Sequence, residues 1–283
     1  MSPSLLHTTL LTLLALVAFA GNSVLCRLAL AHTAIDPASF SSIRLASGAA
    51  ALWLIVRLRA RSSGLSGSWS SAGALFVYAA SFSFAYMTVP TGAGALLLFG
   101  AVQATMLGAG LWVGERMSTG QWGGFAVALG GLLALVLPGL STPPLGGSVL
   151  MLTAGVAWGI YSLQGRRFDD VAGATAGNFL RTLPLTGLLS VAAAPWAQLD
   201  GLGIAYAVLS GALASGVGYA VWYAALRGLT ATRAATVQLT VPVLAALCGV
   251  AFLSEPITLR FVMAATAVLG GIALVLLARS PTD

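Results

Sequence analysis

The sequence predicts an all-α integral membrane protein, with ten transmembrane helices arranged as two inverted five-helix repeats around a central cavity. Three observations lead to this prediction. Hydrophobic residues make up 58% of the chain and charged residues only 7%, where soluble domains usually carry about 25% charged residues. Apolar runs of about 20 residues, the length that crosses about 30 Å of hydrocarbon, follow one another with short gaps. The third observation is an internal repeat.

The repeat is clearest near the end of each half of the chain. The stretch GERMSTGQWGGFAVALGGLLALVLP returns as SEPITLRFVMAATAVLGGIALVLLA. At one constant offset, Glu115 aligns with Glu255, and Gly130–Gly131 aligns with Gly270–Gly271. A shared offset for a charge and a glycine pair indicates two related halves.

The two halves are expected at 1–140 and 145–283, joined near Pro143–Pro144. A unit of five spans begins on one side of the bilayer and ends on the other, so its repeat must insert upside down. Inverted repeats are typical of alternating-access transporters, whose substrate site lies near the midplane between the halves.

Turn signals such as Asp36–Pro37 separate the apolar runs. The first run contains Asn22 and Arg27 where a signal peptide would be cleaved, so we expect a retained helix. The expected helices are 5–26, 38–58, 70–89, 92–113 and 119–137 in the first half and 146–165, 172–194, 202–226, 230–253 and 257–278 in the second.

Arginine supplies all 13 basic residues, and its distribution predicts the orientation. With a cytoplasmic N-terminus, only Arg27 and Arg260 lie at outer helix ends, which satisfies the positive-inside rule and returns the C-terminus to the cytoplasm. We therefore expect a multi-pass protein of the bacterial inner membrane. The arginines at the expected inner ends are Arg57, Arg59, Arg61, Arg116, Arg166, Arg167, Arg227, Arg233 and Arg279.

Composition also narrows the partners. Without lysine there is no usual Walker A motif, so no ATPase subunit is implied, and arginines that lie mostly at helix ends do not indicate nucleic-acid binding. With two cysteines and two histidines, we expect no metal site and no cofactor. An intramembrane enzyme would need paired carboxylates or a nucleophile–base pair, and a receptor would not require inverted repeats. Neither class is favoured, and we expect no enzyme.

Four charged residues are candidates for chemistry. Arg44 and Arg181 lie within helices at nearly the repeat spacing and could bind a substrate carboxylate or, as we favour, brace helix ends. Glu115 and Glu255 could couple transport to protons, but their positions after apolar runs favour capping of the following helices.

Aromatic and amide side chains in mid-helix predict the substrate site. Trp and Tyr usually lie at membrane interfaces, whereas several here lie deep, and a cavity of rings and amides suits a solute that is partly apolar and partly polar. Gln238 lies one turn before Pro242, which leaves carbonyls unbonded. Asn178 belongs to the same mid-helix group. The predicted substrate-binding residues are Asn22, Tyr78, Phe82, Phe99, Gln103, Trp158, Tyr161, Tyr219, Trp222 and Gln238.

Four segments carry a resemblance to a known family. They are AGNSVLCRLAL, SSIRLASGAAAL, GVAWGIYSLQGRR and ATRAATVQLTVPVLAALCGVAFLSEPITLRFVMAATAVLGGIALVL. They resemble the EamA-type members of the drug/metabolite transporter superfamily along essentially the whole chain, and within it the chain is most similar to the YddG-type exporters of aromatic and other amino acids. The resemblance implies ten helices in two inverted repeats, with a cavity lined by helices three, four, eight and nine and parts of one and six.

The expected function is therefore export of aromatic and other neutral amino acids and similar small metabolites across the lipid bilayer by alternating access. Transport of another small solute, such as a purine or a cationic drug, stays open as an alternative, because aromatic rings also bind cations. A cation would favour a buried acid, and the sequence has none deep in a helix.

Overall fold

The computed structural model describes residues 5–58, 64–114, 116–137, 142–165, 167–229, 234 and 237–278. Some expectations fall outside the described residues, among them the cap at Glu115 and the start of the ninth helix at 230–233. The inner arginines that lie outside them are Arg59, Arg61, Arg166, Arg233 and Arg279.

In the described ranges the ordered elements are helical and none is a β-strand. A 3₁₀ turn, Ala194–Trp196, follows the seventh helix. In chain order the helices are α1 (Leu5–His32), α2 (Pro37–Leu58), α3 (Trp69–Tyr86), α4 (Thr91–Trp112), α5 (Thr119–Val136), α6 (Leu145–Gly165), α7 (Val171–Ala193), α8 (Gly201–Leu226), α9 (Thr240–Leu253) and α10 (Leu259–Leu277).

By length and composition, seven of the described helices can cross a membrane: α1, α2, α4, α5, α6, α8 and α10. The apolar α9 has 14 residues, and the residues before it are only partly described. The molecule is thus an all-α membrane protein with multiple spans, while the number ten and the inverted repeat stay predictions.

The described helix ends lie within about three residues of the expected ones, apart from the end of the first helix and the partly described start of the ninth. The first helix continues from residue 26 to His32, because Arg27 stays in the helix and binds Glu255. The tenth begins at Leu259 instead of 257, because Thr258 has an extended backbone and its hydroxyl accepts a hydrogen bond from the Phe261 amide at 3.1 Å.

Short polar side chains start several helices by accepting hydrogen bonds from their first-turn amides. Ser118 and Gln121 form a reciprocal capping box on α5, and Asp170 and Asp200 cap α7 and α8. The expectation that Glu255 caps the following helix is wrong. That helix uses Thr258, and Glu255 binds elsewhere, as described below.

Helix packing pairs α5 with α10, α2 with α7 and α4 with α9, while α3 packs on α6 and α8 packs on α1. The contact of α5 with α10 depends on glycine: a Cβ on Gly124 would lie 2.6 Å from the Gly271 carbonyl oxygen. On α6, a Cβ at Gly155 would lie 2.5 Å from the Leu98 carbonyl oxygen of α4. Small residues therefore let these backbones approach closely, as they do at many membrane helix interfaces.

Candidate functional site

One cavity of about 420 Å³ lies among the helices. Side chains of α1, α3, α4, α6, α7 and α8 line it, together with Ala234 and Gln238 just before α9. The structure brings all ten sequence-predicted site residues to its lining, although their role in binding stays a prediction. They are Asn22, Tyr78, Phe82, Phe99, Gln103, Trp158, Tyr161, Tyr219, Trp222 and Gln238.

Aromatic rings in contact form much of the cavity wall. Tyr78 and Phe82, one turn apart on α3, have ring centroids 5.5 Å apart. Trp158 of α6 is central to the wall: its ring lies 4.8 Å from Tyr78, 5.3 Å from Tyr161 and 5.2 Å from Tyr219. Such tilted pairs hold one another in place, so the wall presents fixed ring faces to a ligand.

Phe19 extends this wall on α1, and the sequence prediction missed it. Its ring makes edge contacts with Tyr219 at 5.9 Å and with Trp222 at 5.8 Å. Phe19 precedes Asn22 by three residues, so the two share a helix face. That spacing was the available signal, but a phenylalanine in an apolar helix is too common to stand out.

Polar groups at the cavity come from amides and hydroxyls. The Asn22 side-chain oxygen accepts a 2.6 Å hydrogen bond from the Ser210 hydroxyl, and the Thr175 hydroxyl lies 3.2 Å from the Tyr223 hydroxyl. Asn178, also at the lining, accepts from the Ser68 amide at 2.9 Å. Asn22, Thr175, Asn178 and Tyr223 line the cavity, and Ser210 lies behind Asn22 outside the lining.

The middle of α8 departs from the expected regular helix. Leu209–Val217 is a π-helix, a form that is rare and often found at functional sites. It carries Ser210, the partner of Asn22, and Gly211, where a Cβ would collide with the Arg44 carbonyl oxygen of α2. The π-helix therefore holds α8 tightly between α1 and α2.

Arg44 lies directly behind the aromatic wall and is only 2% exposed. Its Nη2 donates to the Tyr78 hydroxyl at 3.1 Å, and its guanidinium carbon lies 4.8 Å from the Phe82 ring centroid and 5.3 Å from that of Tyr78. The favoured expectation that it braces a helix end is not what the structure shows. Arg181 does brace: its Nη1 donates to the Ser66 and Gly177 carbonyls at 2.6 and 2.9 Å.

The lining is uncharged among the described residues: no Asp, Glu, Arg or His reaches it. The cavity includes Gly165 and Val171, where α6 ends and α7 begins, and Leu226 at the end of α8. It therefore extends toward that end of the bundle.

The opposite end of the bundle is held by polar contacts. There Arg27 of α1 pairs with Glu255, Nε to Oε1 at 3.3 Å. The Glu255 carboxylate also accepts from the Thr91 amide at 2.8 Å, which caps α4. This network joins α1, the α3–α4 hairpin and the loop before α10.

Asp36 forms a second polar contact at the same end, in the loop between α1 and α2. Its carboxylate accepts from the amides of Ala38, Ser39 and Gln198, each at 2.9 Å. Partial burial opposes ionisation, but these hydrogen bonds outweigh it and lower the Asp36 pKa. The loop after α7 is thereby tied to the start of α2.

Comparison with known proteins finds a family, a relative in sequence and similar solved structures. Residues 145–277 match the model of the EamA-like transporter family. Over 274 residues the chain is 59% identical to the uncharacterized protein PA1977 of Pseudomonas aeruginosa, which covers 96% of each chain. A solved structure entitled only "Crystal structure of protein" superposes with a TM-score of 0.69 at 23% identity, over 98% of this chain and 99% of that one, which shows a shared fold.

The family match over the second half of the chain and the multi-span helical fold agree with each other. Residues 145–277 are therefore a domain of the EamA-like transporter family, a family that transports small solutes, and the chain is a multi-pass membrane protein.

Proposed function

We propose that this protein exports aromatic and other neutral amino acids across the bacterial inner membrane by alternating access, as the similarity to YddG-type exporters suggests. One observation carries the proposal: mid-helix rings and amides from both halves of the chain converge on one cavity of about 420 Å³, and none of its described lining residues is charged. Pockets for small molecules usually measure about 300–1,000 Å³ and combine apolar walls with a few polar groups.

The cavity suits an amino acid in both of its parts. An aromatic or aliphatic side chain would rest against the contacting faces of Tyr78, Trp158 and Tyr219. The polar groups of the ligand would meet the amides of Gln103 and Gln238, whose side chains line the same cavity. Because the cavity wall combines aromatic rings with amides, we expect the cavity to accept neutral amino acids whose side chains differ in size.

The packing of the helices supports alternating access between two inverted halves. The helices that would be equivalent in such halves pack on one another in three cases, α2 on α7, α4 on α9 and α5 on α10. The contact of α3 with α6 likewise has a counterpart in the contact of α8 with α1. This exchange of partners is what a two-fold relation between the halves would produce.

The orientation of the cavity agrees with an alternating-access cycle. Under the positive-inside assignment, the end near Gly165 and Val171 faces the cytoplasm, and the end closed by Arg27 and Glu255 faces outward. In that orientation the structure would represent the state that accepts substrate from the cytoplasm.

Counterflow into proteoliposomes tests this proposal. Purified protein is reconstituted in separate samples with unlabelled phenylalanine, leucine, adenine or a quaternary ammonium dye inside, and uptake of the same labelled solute from outside is followed. We expect accumulation of the two amino acids well above protein-free liposomes. Accumulation of adenine or the dye without the amino acids would overturn the proposal in favour of purine or drug transport.

A further inference from the structure

Arg44 holds a buried positive charge that no carboxylate among the described residues neutralises. It is 2% exposed, its Nη1 has no hydrogen-bond partner among the described residues, and none of the described carboxylates pairs with it. Burying a cation in a membrane protein is costly, and such residues usually mark a substrate path or pair with a counter-ion. A ligand bound in the cavity is therefore the candidate counter-ion of Arg44.

Tyr78 connects this charge to the cavity. Its hydroxyl oxygen accepts a hydrogen bond from Arg44 Nη2 at 3.1 Å, and Tyr78 is one of the residues that line the cavity. A tyrosine hydroxyl has one hydrogen to donate as well as lone pairs to accept with. Because the oxygen accepts from a guanidinium, its own hydrogen is left for another acceptor and is a stronger donor than that of an isolated tyrosine.

We propose that Arg44, acting through the Tyr78 hydroxyl, selects a carboxylate-bearing ligand. This inference rests on the proposed function and narrows its substrate class. The carboxylate of the ligand accepts the hydrogen bond from Tyr78 and supplies the negative charge that compensates Arg44. Arg44 is a positioning residue, since Tyr78 makes the contact with the ligand.

The same cavity offers the ammonium group of an amino acid only neutral acceptors. No acidic side chain reaches the described lining, and the available oxygens belong to amides such as those of Gln103 and Gln238 and to hydroxyls. The ligand's carboxylate is therefore recognised by charge, whereas its ammonium group is not. A carboxylic acid without an amine should bind, and an amine without a carboxylate should not.

Three probes that share a phenyl ring and differ in charge test the proposal: L-phenylalanine, 3-phenylpropionate and phenethylamine. Their affinities are measured by competition against labelled phenylalanine on the purified protein. For the wild type we expect phenylpropionate to compete within about tenfold of phenylalanine, and phenethylamine to be weaker by about tenfold or more, a difference of about 1.4 kcal/mol.

Variants then show whether Arg44 and Tyr78 cause the preference for the carboxylate. Arg44→Gln should lose the preference for the carboxylate, whereas Arg44→Lys, which keeps the charge, should retain part of it. Tyr78→Phe removes only the hydroxyl and keeps the ring, so it tests the same contact if Arg44→Gln does not fold. Arg181→Gln is the matched control, because Arg181 binds backbone carbonyls away from the lining, and its preference should equal that of the wild type.

The possible results separate this inference from the proposed function. Equal competition by phenethylamine and phenylalanine, or an undiminished carboxylate preference in both Arg44→Gln and Tyr78→Phe, would overturn the role of Arg44 and leave amino-acid transport standing. Failure of the wild type to bind phenylalanine, with normal folding, would overturn the proposed function and this inference with it.

Discussion

Arg27 and Glu255 form an ion pair between Nε and Oε1 at 3.3 Å, across 228 positions of the chain. Nη1 of Arg27 also donates to the carbonyls of Tyr86 and Met87 at 2.8 and 2.9 Å. Glu255 accepts from the amide and hydroxyl of Thr91. The pair therefore fastens α1 and the α3–α4 hairpin to the second half, at the end of the bundle away from the open part of the cavity.

Because Glu255 serves as a counter-ion and cap, and no described carboxylate lines the cavity, we expect transport without a proton gradient. Counterflow of phenylalanine should proceed at equal rates with and without a pH step across the liposome membrane. Glu255→Gln should leave that independence intact. A strict requirement for the gradient, abolished by Glu255→Gln or Glu115→Gln, would contradict the assignment of these residues.

Asp36 makes the stability of the fold depend on pH. Its pKa is lower in the folded protein than in the unfolded chain, where it is about 3.9. Its contribution is therefore present above about pH 4 and is lost as the pH falls toward the folded value. Asp36→Ala should cost about 1 kcal/mol at pH 7, typical for loss of a helix cap.

The measurement for Asp36 is the unfolding temperature in detergent at pH 7 and in steps below pH 4. The difference between wild type and Asp36→Ala should shrink as the pH falls. Asp169→Ala, at an exposed carboxylate in another loop, serves as the control and should change little. A difference that grows on acidification would contradict the hydrogen-bonding argument.

The neighbouring glycines 270 and 271 make a matched pair on α10. A Cβ on Gly271 would lie 2.5 Å from the Gly124 carbonyl oxygen, whereas one on Gly270 would meet nothing within 4 Å. Gly271→Ala should therefore destabilise the protein by about 1–3 kcal/mol through overpacking. Gly270→Ala should be neutral or slightly stabilising, because alanine favours helix. Equal unfolding temperatures for the two variants would show that α5 and α10 do not pack in this way.

The two-halves prediction is tested by reporter fusions. A reporter fused after Pro143 should be periplasmic and one fused at Asp283 should be cytoplasmic. Five spans lie between the two fusion sites, and an odd number of spans places them on opposite sides of the membrane. Alkaline phosphatase, active only outside the cytoplasm, and a fluorescent protein, bright only inside, give opposite readings at each site. Two fusions on the same side would exclude the inverted arrangement.

The helices and many of the cavity residues could be predicted from the sequence, and the reason is physical. A span needs about 20 apolar residues, so helices in a bilayer are visible without tertiary information. A polar side chain such as Gln103 in mid-span is costly against lipid, so it turns inward, and Trp and Tyr residues far from the membrane interfaces are a further sign of a site inside the bundle. This is why the ten predicted residues lie along one cavity.

Other features depended on contacts that sequence spacing does not contain. Phe19 and Thr175 line the cavity only because of how α1 and α7 are rotated, and apolar or hydroxyl residues are tolerated on either helix face. Glu255 caps the start of α4 at Thr91, which lies 164 positions earlier in the chain. Capping rules based on sequence consider only the adjacent helix. The position of Arg44 behind Tyr78 likewise required the packing of α2 on α3.

Substitution of the central ring tests the account most directly. Trp158 contacts Tyr78, Tyr161 and Tyr219 in the cavity wall, whereas Trp112, at the end of α4, is 92% exposed. The measurement is the initial rate of phenylalanine counterflow in proteoliposomes holding equal amounts of folded wild type, Trp158→Ala and Trp112→Ala. We expect Trp158→Ala to lose about tenfold or more in rate, as loss of a central aromatic contact can cost 2 kcal/mol or more, while Trp112→Ala keeps the wild-type rate. An undiminished rate in folded Trp158→Ala would contradict the assignment of this cavity as the substrate site.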